Sequence, residues 1–238
     1  MRMSQREREL RLLNELKESE IANVITHGLN PNVKMKDSGI SWIGMIPEHW
    51  KIEKINAHFK ERRVKVSDKD YPALSVTKIG VVPQLEDAVK TDNGDNRKLV
   101  KKNDFVVNSR SDRKGSCGVA PQDGSVSLIN IVLEIIDMNK DYVHILLRSH
   151  NYIEEFYRSG RGIVADLWTT RYSEMKNILI PIPPIEEQKA IVEYINAKTD
   201  TIEGLIADLT AQIEKLKEYK QTLIADCVTG QIKVQNEL

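Results

Sequence analysis

The sequence predicts an α+β protein, with one mixed α/β body flanked by a short N-terminal helix and a long C-terminal coiled-coil helix. Three observations carry this expectation. Short Val- and Ile-rich runs alternate with turn residues between residues 41 and 182. From Pro183-Pro184 onward the apolar period changes from two to about three and a half residues. The N-terminal segment repeats part of that C-terminal pattern. The resulting boundaries are 1–40 for the first helix and linker, 41–182 for the body, 183–230 for the long helix and 231–238 for the tail.

The long helix is the clearest element. Pro184 suits a first helical position, Glu186 and Glu187 complement the positive end of the helix dipole, and Thr229-Gly230 supplies a stop. Such a helix would be roughly 65 Å long. Ile195, Ile202, Leu209, Leu216 and Leu223 recur seven apart, with Val192, Thr199, Ile206, Ile213, Lys220 and Cys227 as the companion row. A seam of that length asks for another long helix beside it. Two copies paired antiparallel through it would set two bodies at opposite ends of a rod, and the helix length would fix the distance between what they bind.

The N-terminal helix is expected to open at a Ser4/Glu7 capping box, to carry Leu10, Leu13, Leu16, Ile21 and Val24 on one side, and to end at Gly28. Residues 13–26 align without gaps on residues 216–229, with Leu, Glu, Lys, Ile, Ala and Thr recurring in register. This internal repeat brackets the body.

Within the body the strand candidates are Ala73–Thr77, Asp104–Asn108, Val126–Ile136 and Ile178–Ile180, with a turn at Asp123-Gly124. Residues 140–158 read as one helix.

Composition narrows the function. The 40% hydrophobic and 29% charged content is that of a soluble protein, and no apolar run approaches the roughly 18 residues of a membrane span. The mixed-charge N-terminus cannot act as a secretory signal, so a cytoplasmic protein is expected. Cys117 and Cys227 lack metal or disulfide spacing and read as plain thiols. Net charge is zero, yet residues 185–229 hold five Lys against nine Asp and Glu, which leaves a compensating positive excess elsewhere. A basic body on an acidic helix can still bind nucleic acid.

No catalytic constellation emerges. Gly39 and Gly44 have the spacing of phosphate-loop glycines, but Met45-Ile46 follows where Lys and Ser or Thr are required. No Asn-Pro-Pro or Asp-Pro-Pro followed by an aromatic is present, and the five histidines form no metal pair. Neither a metal nor a cofactor is expected in this chain. Two polar, basic stretches stand out instead. In Asn108–Gly118, Arg110 and Arg113 can address guanine edges, Lys114 a phosphate and Asn108 an adenine; a solvated loop is the plainer reading of that stretch alone. In Arg158–Tyr172 the candidate contacts are Arg161, Thr169, Thr170 and Arg171, whereas Trp168 and Tyr172 are expected in the core.

Several segments resemble the specificity subunits of type I restriction-modification systems. Ile180-Pro-Ile-Pro-Pro-Ile-Glu-Glu-Gln-Lys-Ala-Ile-Val192 and the heptad helix ending Leu223-Ile-Ala-Asp-Cys-Val-Thr-Gly-Gln-Ile232 are similar to the conserved region after a target recognition domain. Trp42–Trp50 resembles the approach to that domain, and Ser75–Pro83, which contains the further candidate Lys78, and Asp104–Arg110 resemble its interior. Family members usually carry two recognition domains, and this chain has one; residues 24–40 resemble the end of the helix between them, which identifies the chain as a distal half. The resemblance implies a non-catalytic chain that binds double-stranded DNA and holds modification (M) and restriction (R) subunits. S-adenosylmethionine, ATP and Mg then belong to those partners, which methylate adenine N6 and cleave. It also implies pairing with a second copy or with another half-length subunit through Ile195, Ile202, Ile206, Leu209, Ile213, Leu216 and Leu223. A free-standing coiled-coil DNA-binding regulator and the remnant of a split gene are the alternatives, and an enzyme in its own right is disfavoured by the missing motifs.

Overall fold

In the computed structural model, residues 2–84, 94–162 and 168–232 are described. Most of the expected 231–238 tail, and Leu167 of the second basic stretch, lie outside them. The chain forms two compact units: Ile21–Tyr194, and Met1–Glu20 with Ile195–Leu238.

In chain order the elements are α1 (Arg2–His27), β1 (Met35–Asp37), β2 (Met45–Pro47), β3 (Lys51–Lys54), α2 (Ile55–His58), β4 (Phe59–Glu61), β5 (Lys65–Val66), β6 (Leu74–Thr77), β7 (Gly80–Pro83), β8 (Arg97–Val100), β9 (Phe105–Asn108), β10 (Cys117–Val119), β11 (Gly124–Val126), β12 (Asn130–Ile135), α3 (Lys140–Leu146), α4 (His150–Arg158), α5 (Tyr172–Met175), β13 (Leu179–Ile182) and α6 (Ile185–Val228). The α+β class with a short first and a long last helix is thus the observed one.

The larger unit is built on an antiparallel four-stranded sheet, β10-β9-β12-β4, and a three-stranded sheet, β11-β8-β5. Val106 faces Val132 and Phe105 faces Leu133 across the β9–β12 pair. Leu74, Val81, Val100, Val106, Ala120, Val126 and Val132 form the apolar centre, to which both sheets and the β6–β7 hairpin contribute. The run expected as one strand over Val126–Ile136 is two. The Ser127 carbonyl accepts from both the backbone N–H and the side-chain amide of Asn130, closing a turn through which the chain passes from one sheet to the other. The single helix expected over 140–158 is likewise divided: the Asn139 side chain accepts the N–H groups of Asp141 and Tyr142 and starts α3, and Ser149 caps α4. α1 opens at Arg2, two residues before the expected Ser4 cap, since Arg2 and Met3 are themselves good helix formers.

The beginning of α6 is fastened to the body by the residues that give its sequence such sharp character. Glu187 accepts the indole N–H of Trp50 at 2.9 Å and lies 2.6 Å from Nε2 of His49. Gln188, buried, accepts the Asn139 N–H and donates to the Pro183 carbonyl. Trp50 is buried too, and the end of α1 rests on it: a Cβ at Gly28, whose φ is +73°, would stand 3.1 Å from the indole ring. His58 is bracketed at 2.7 Å on either ring nitrogen by Asp137 and Glu53, tying β3 to the end of β12.

The smaller unit pairs two helices. Lys17 of α1 lies 2.5 Å from Glu203 of α6, and Gln5 and Arg6 share a cleft with Gln212, Lys215 and Leu216. Residue numbers fall along one helix as they rise along the other, so the two run antiparallel. Ile202 and Ile213 are buried in this unit, while Ile206, Leu209, Leu216 and Leu223 are half-buried.

Candidate nucleic-acid interface

The two basic stretches, far apart in sequence, are joined through their backbones. Ser111 donates to the Trp168 carbonyl and Thr170 to the Ser109 carbonyl, while Arg161 and Thr169 exchange both backbone hydrogen bonds at 3.0 Å. Arg110 thereby faces Thr169, and Thr169 faces Arg161, in antiparallel bridges. Directly opposed residues of an antiparallel pair project to the same face, with Cβ atoms about 5 Å apart. Arg110, Thr169 and Arg161 therefore form a row on one face. The other face of this small ladder looks inward: Ser109 is buried with its hydroxyl on the Ile129 carbonyl, and Thr170, 2% exposed, donates to the Phe156 carbonyl.

That alternation sorts the expected contacts. Arg110, Arg113 and Arg161 have side chains 52%, 66% and 86% exposed. Their acidic neighbours are distant for ion pairs: Asp112 lies 3.4 Å from Arg110 and 3.7 Å from Arg113, and Glu174 lies 3.9 Å from Arg161. Exposed pairs of this kind contribute little, about 0–1 kcal/mol, so a phosphate or guanine edge can replace the carboxylate at small cost. Lys114 differs. It is held at 2.7 Å by Glu154 of α4 and lies 4.6 Å from the centre of the Tyr157 ring, a position that braces the loop against the helix. Thr170 belongs to the packing of the loop pair and not to its surface. Asn108 uses its side-chain carbonyl to accept the Arg110 N–H, shaping the turn that presents the arginine. Arg171 is exposed at the start of α5, where its N–H meets Glu174. The Glu174 carboxyl is held below its ordinary pKa first by the Ser173 hydroxyl and in part by Arg161.

Trp168 and Tyr172, expected in the core, are both partly buried. The Trp168 indole N–H donates to the Tyr157 carbonyl at 2.8 Å. Gly160 is required beneath it: a Cβ there would fall 2.4 Å from the indole nitrogen and 2.7 Å from the Thr170 hydroxyl. The cavity enclosed by Asn108, Lys114, Tyr152, Phe156, Trp168 and Thr170 measures about 20 Å³, room for one water and no ligand.

Lys78 reaches this neighbourhood through a residue that the sequence did not single out. Arg148, in the break between α3 and α4, donates to the Cys117 carbonyl at 2.5 Å and to the Lys78 carbonyl at 2.8 Å. The tip of the β6–β7 hairpin is thus pinned beside the strand into which the 108–118 loop returns. Close backbone packing supports this, since a Cβ at Gly118 would stand 3.2 Å from the Gly80 Cα. The Val119 N–H donates to Nδ1 of His144, whose pKa is pushed down to about 4 by burial and by Arg148, with Asp141 opposing. Cys117 is a free, buried thiol whose pKa burial raises to about 12. Among the described residues no three His, Cys, Asp or Glu side chains gather as a metal site, and no helix is long and apolar enough to cross a membrane.

Residues 50–215 match the family described as the type I restriction modification DNA specificity domain, and the chain belongs to that family. It is 27% identical over 248 residues to the putative type I restriction enzyme MjaX specificity subunit of Methanocaldococcus jannaschii, covering 96% of this chain and 53% of that protein. It is 27% identical over 146 residues to the type I restriction enzyme EcoBI specificity subunit of Escherichia coli, covering 58% of this chain and 30% of the other. The chain therefore spans about half the length of the first of these relatives or less of the second. Its fold is similar to a chain in a structure described as the "structural basis underlying complex assembly and conformational transition of the type I R-M system", with a TM-score of 0.68, 15% identity and coverage of 94% and 53%. It is also similar to the HsdS subunit from Thermoanaerobacter tengcongensis, with a TM-score of 0.56, 16% identity and coverage of 94% and 52%.

Proposed function

We propose that this chain reads one half of a bipartite double-stranded DNA site as a half-length specificity subunit, and that it performs no chemistry itself. The observation that carries this is the Arg110–Thr169–Arg161 row, in which non-local backbone pairing converts two basic stretches into one surface. Arg110 and Arg113 address base edges, Arg161 and Arg171 address the backbone, and Lys78 extends the surface from the hairpin tip. Modification subunits, which bring S-adenosylmethionine and methylate adenine N6, and restriction subunits, which use ATP and Mg, are the partners it directs. A second copy, or a second half-length specificity chain, supplies the other recognition domain by pairing through the α6 seam of Ile195, Ile202, Ile206, Leu209, Ile213, Leu216 and Leu223.

The test is selection of random-sequence duplexes by the chain together with a modification subunit, followed by titration of the selected duplex at several salt concentrations. Arg110→Ala or Arg113→Ala is expected to weaken binding about 5- to 150-fold, equivalent to about 1–3 kcal/mol, and to relax one position of the selected motif. Arg161→Ala is expected to weaken all sequences alike and to lower the salt slope by about one. Unchanged affinity, motif and slope in all three variants would remove this face as the reader.

A further inference from the structure

We propose that α1 occupies on α6 the place taken by the far half of a second copy's α6 in the dimer, so that self-association proceeds by displacing α1. The inference rests on the dimeric arrangement given above and adds how it is controlled.

It follows from joining the repeat to the contacts. Residues 13–26 of α1 align without gaps on residues 216–229 of α6, an offset of 203 that also sets Leu10 on Ile213. The half-buried positions of α1 include Leu10, Leu13 and Lys17, whose equivalents on α6 are Ile213, Leu216 and Lys220. α1 thus turns toward α6 the same heptad stripe that α6 itself carries. A second α6 laid antiparallel in the same groove presents Ile213, Leu216 and Lys220 where α1 presents Leu10, Leu13 and Lys17. Lys220 then meets Glu203 in place of the Lys17 contact at 2.5 Å. The substitution is mutual: Glu203 of each copy faces Lys220 of the other, which is the condition for a closed twofold interface. One groove holds one helix, so α1 and the second α6 exclude each other.

The offset also says which side gains. α1 meets α6 between about Glu203 and Leu216, from the Lys17–Glu203 pair to the cleft that Gln5 and Arg6 line with Gln212, Lys215 and Leu216. Under the same offset a second α6 extends the cover past Leu216 toward Val228, over the seam positions Leu223 and Cys227, which are only half-buried in the single chain. The longer cover favours the dimer once α1 lets go, and the local α1 favours the monomer at low concentration through its high effective concentration.

The full-length chain tests this by sedimentation velocity over a concentration series, with intact tryptophan fluorescence as the control that the body remains folded. Leu10→Asp with Lys17→Glu loosens α1 and leaves α6 untouched; the dimer Kd is expected to fall at least tenfold. Lys220→Glu spares α1 and is expected to raise the Kd. Exchanging the charges with Lys17→Glu and Glu203→Lys restores the internal pair but opposes the second copy's Lys220 with a like charge, and a monomer is expected. In the wild-type chain, hydrogen exchange should show the amides of residues 5–20 losing protection as concentration is raised into the dimer range. Should the Leu10/Lys17 variant dimerise no more tightly than wild type, or should α1 gain protection on dimerisation, displacement is wrong while the dimer stands. If neither wild type nor that variant self-associates at 100 µM, the dimer is wrong and the inference falls with it.

Discussion

Replacing Arg148 by Met removes two hydrogen bonds from a charged donor while keeping the aliphatic stem. The lost contacts are those to the carbonyls of Cys117 and Lys78, at 2.5 and 2.8 Å. A bond of this kind contributes about 1.5–3 kcal/mol when shielded, and an unmet carbonyl beside a buried residue costs about 1–3 kcal/mol. Cys117 is buried, whereas Lys78 is exposed and water can replace the guanidinium there. The Cys117 bond therefore dominates, and the sum comes to about 2 kcal/mol. For a chain of this size that is a fall of about 4–8 °C in Tm, since 1 kcal/mol moves Tm by about 2–4 °C. Urea unfolding followed by tryptophan fluorescence measures it. Arg148→Lys, which offers a single ammonium in place of a forked donor, is expected to recover about half. The hairpin tip is also released, so DNA affinity should fall more than the stability loss alone explains at a temperature where both proteins are fully folded. An Arg148→Met variant with the wild-type midpoint and affinity would refute the role assigned to this residue.

Other perturbations give equally definite outcomes. Gly160→Ala forces a methyl against Trp168 and Thr170 and should destabilise by about 1–3 kcal/mol, as overpacking does, with loss of DNA binding, measured by the same unfolding and titration. Glu187→Ala leaves the Trp50 indole N–H without its acceptor and should cost about 1–2 kcal/mol, with a shift in tryptophan emission. His144 has a folded pKa near 4 against 6.5 in the unfolded chain, so between those values the unfolded state binds more protons and stability falls as pH falls from about 6.5 to 4. His144→Gln should flatten that limb by about 2 kcal/mol after allowance for its partial exposure, read from unfolding midpoints at pH 7 and pH 4.5. Lys114→Ala should lower stability by less than about 1.5 kcal/mol through loss of the Glu154 and Tyr157 contacts and leave sequence preference unchanged, in contrast with Arg113→Ala.

The helical frame was legible because it is periodic and local. Heptad positions, a proline pair and a terminal glycine mark α6 within a residue, and Gly28 marks the end of α1. The repeat between the helices was also visible, but a repeat does not say which surfaces meet; that needed the Lys17–Glu203 contact. Strand and helix extents failed where a short polar residue captured a backbone group, as Asn130 does after β11 and Ser149 does between α3 and α4. The basic stretches could be found by composition, yet not the order within them. Thr169 and Thr170 are indistinguishable in sequence, and only pairing with Arg110 and Arg161 sends one outward and the other inward. Lys114 and Arg113 look alike until Glu154 and Tyr157 claim the lysine. Arg148 carried no signal at all, because a lone arginine at a helix end is usually solvated, and its two acceptors are backbone carbonyls at residues 78 and 117.

The most direct test of DNA reading by this chain is the adenine methylation pattern of its host, sequenced with the gene intact, deleted, and restored with Arg110→Ala and Arg113→Ala together. Loss of one bipartite N6-methyladenine motif on deletion, and its failure to return or its relaxation at defined positions with the double variant, is the expected result. A methylation pattern unaffected by deletion, or a motif fully restored by the double variant, would contradict it.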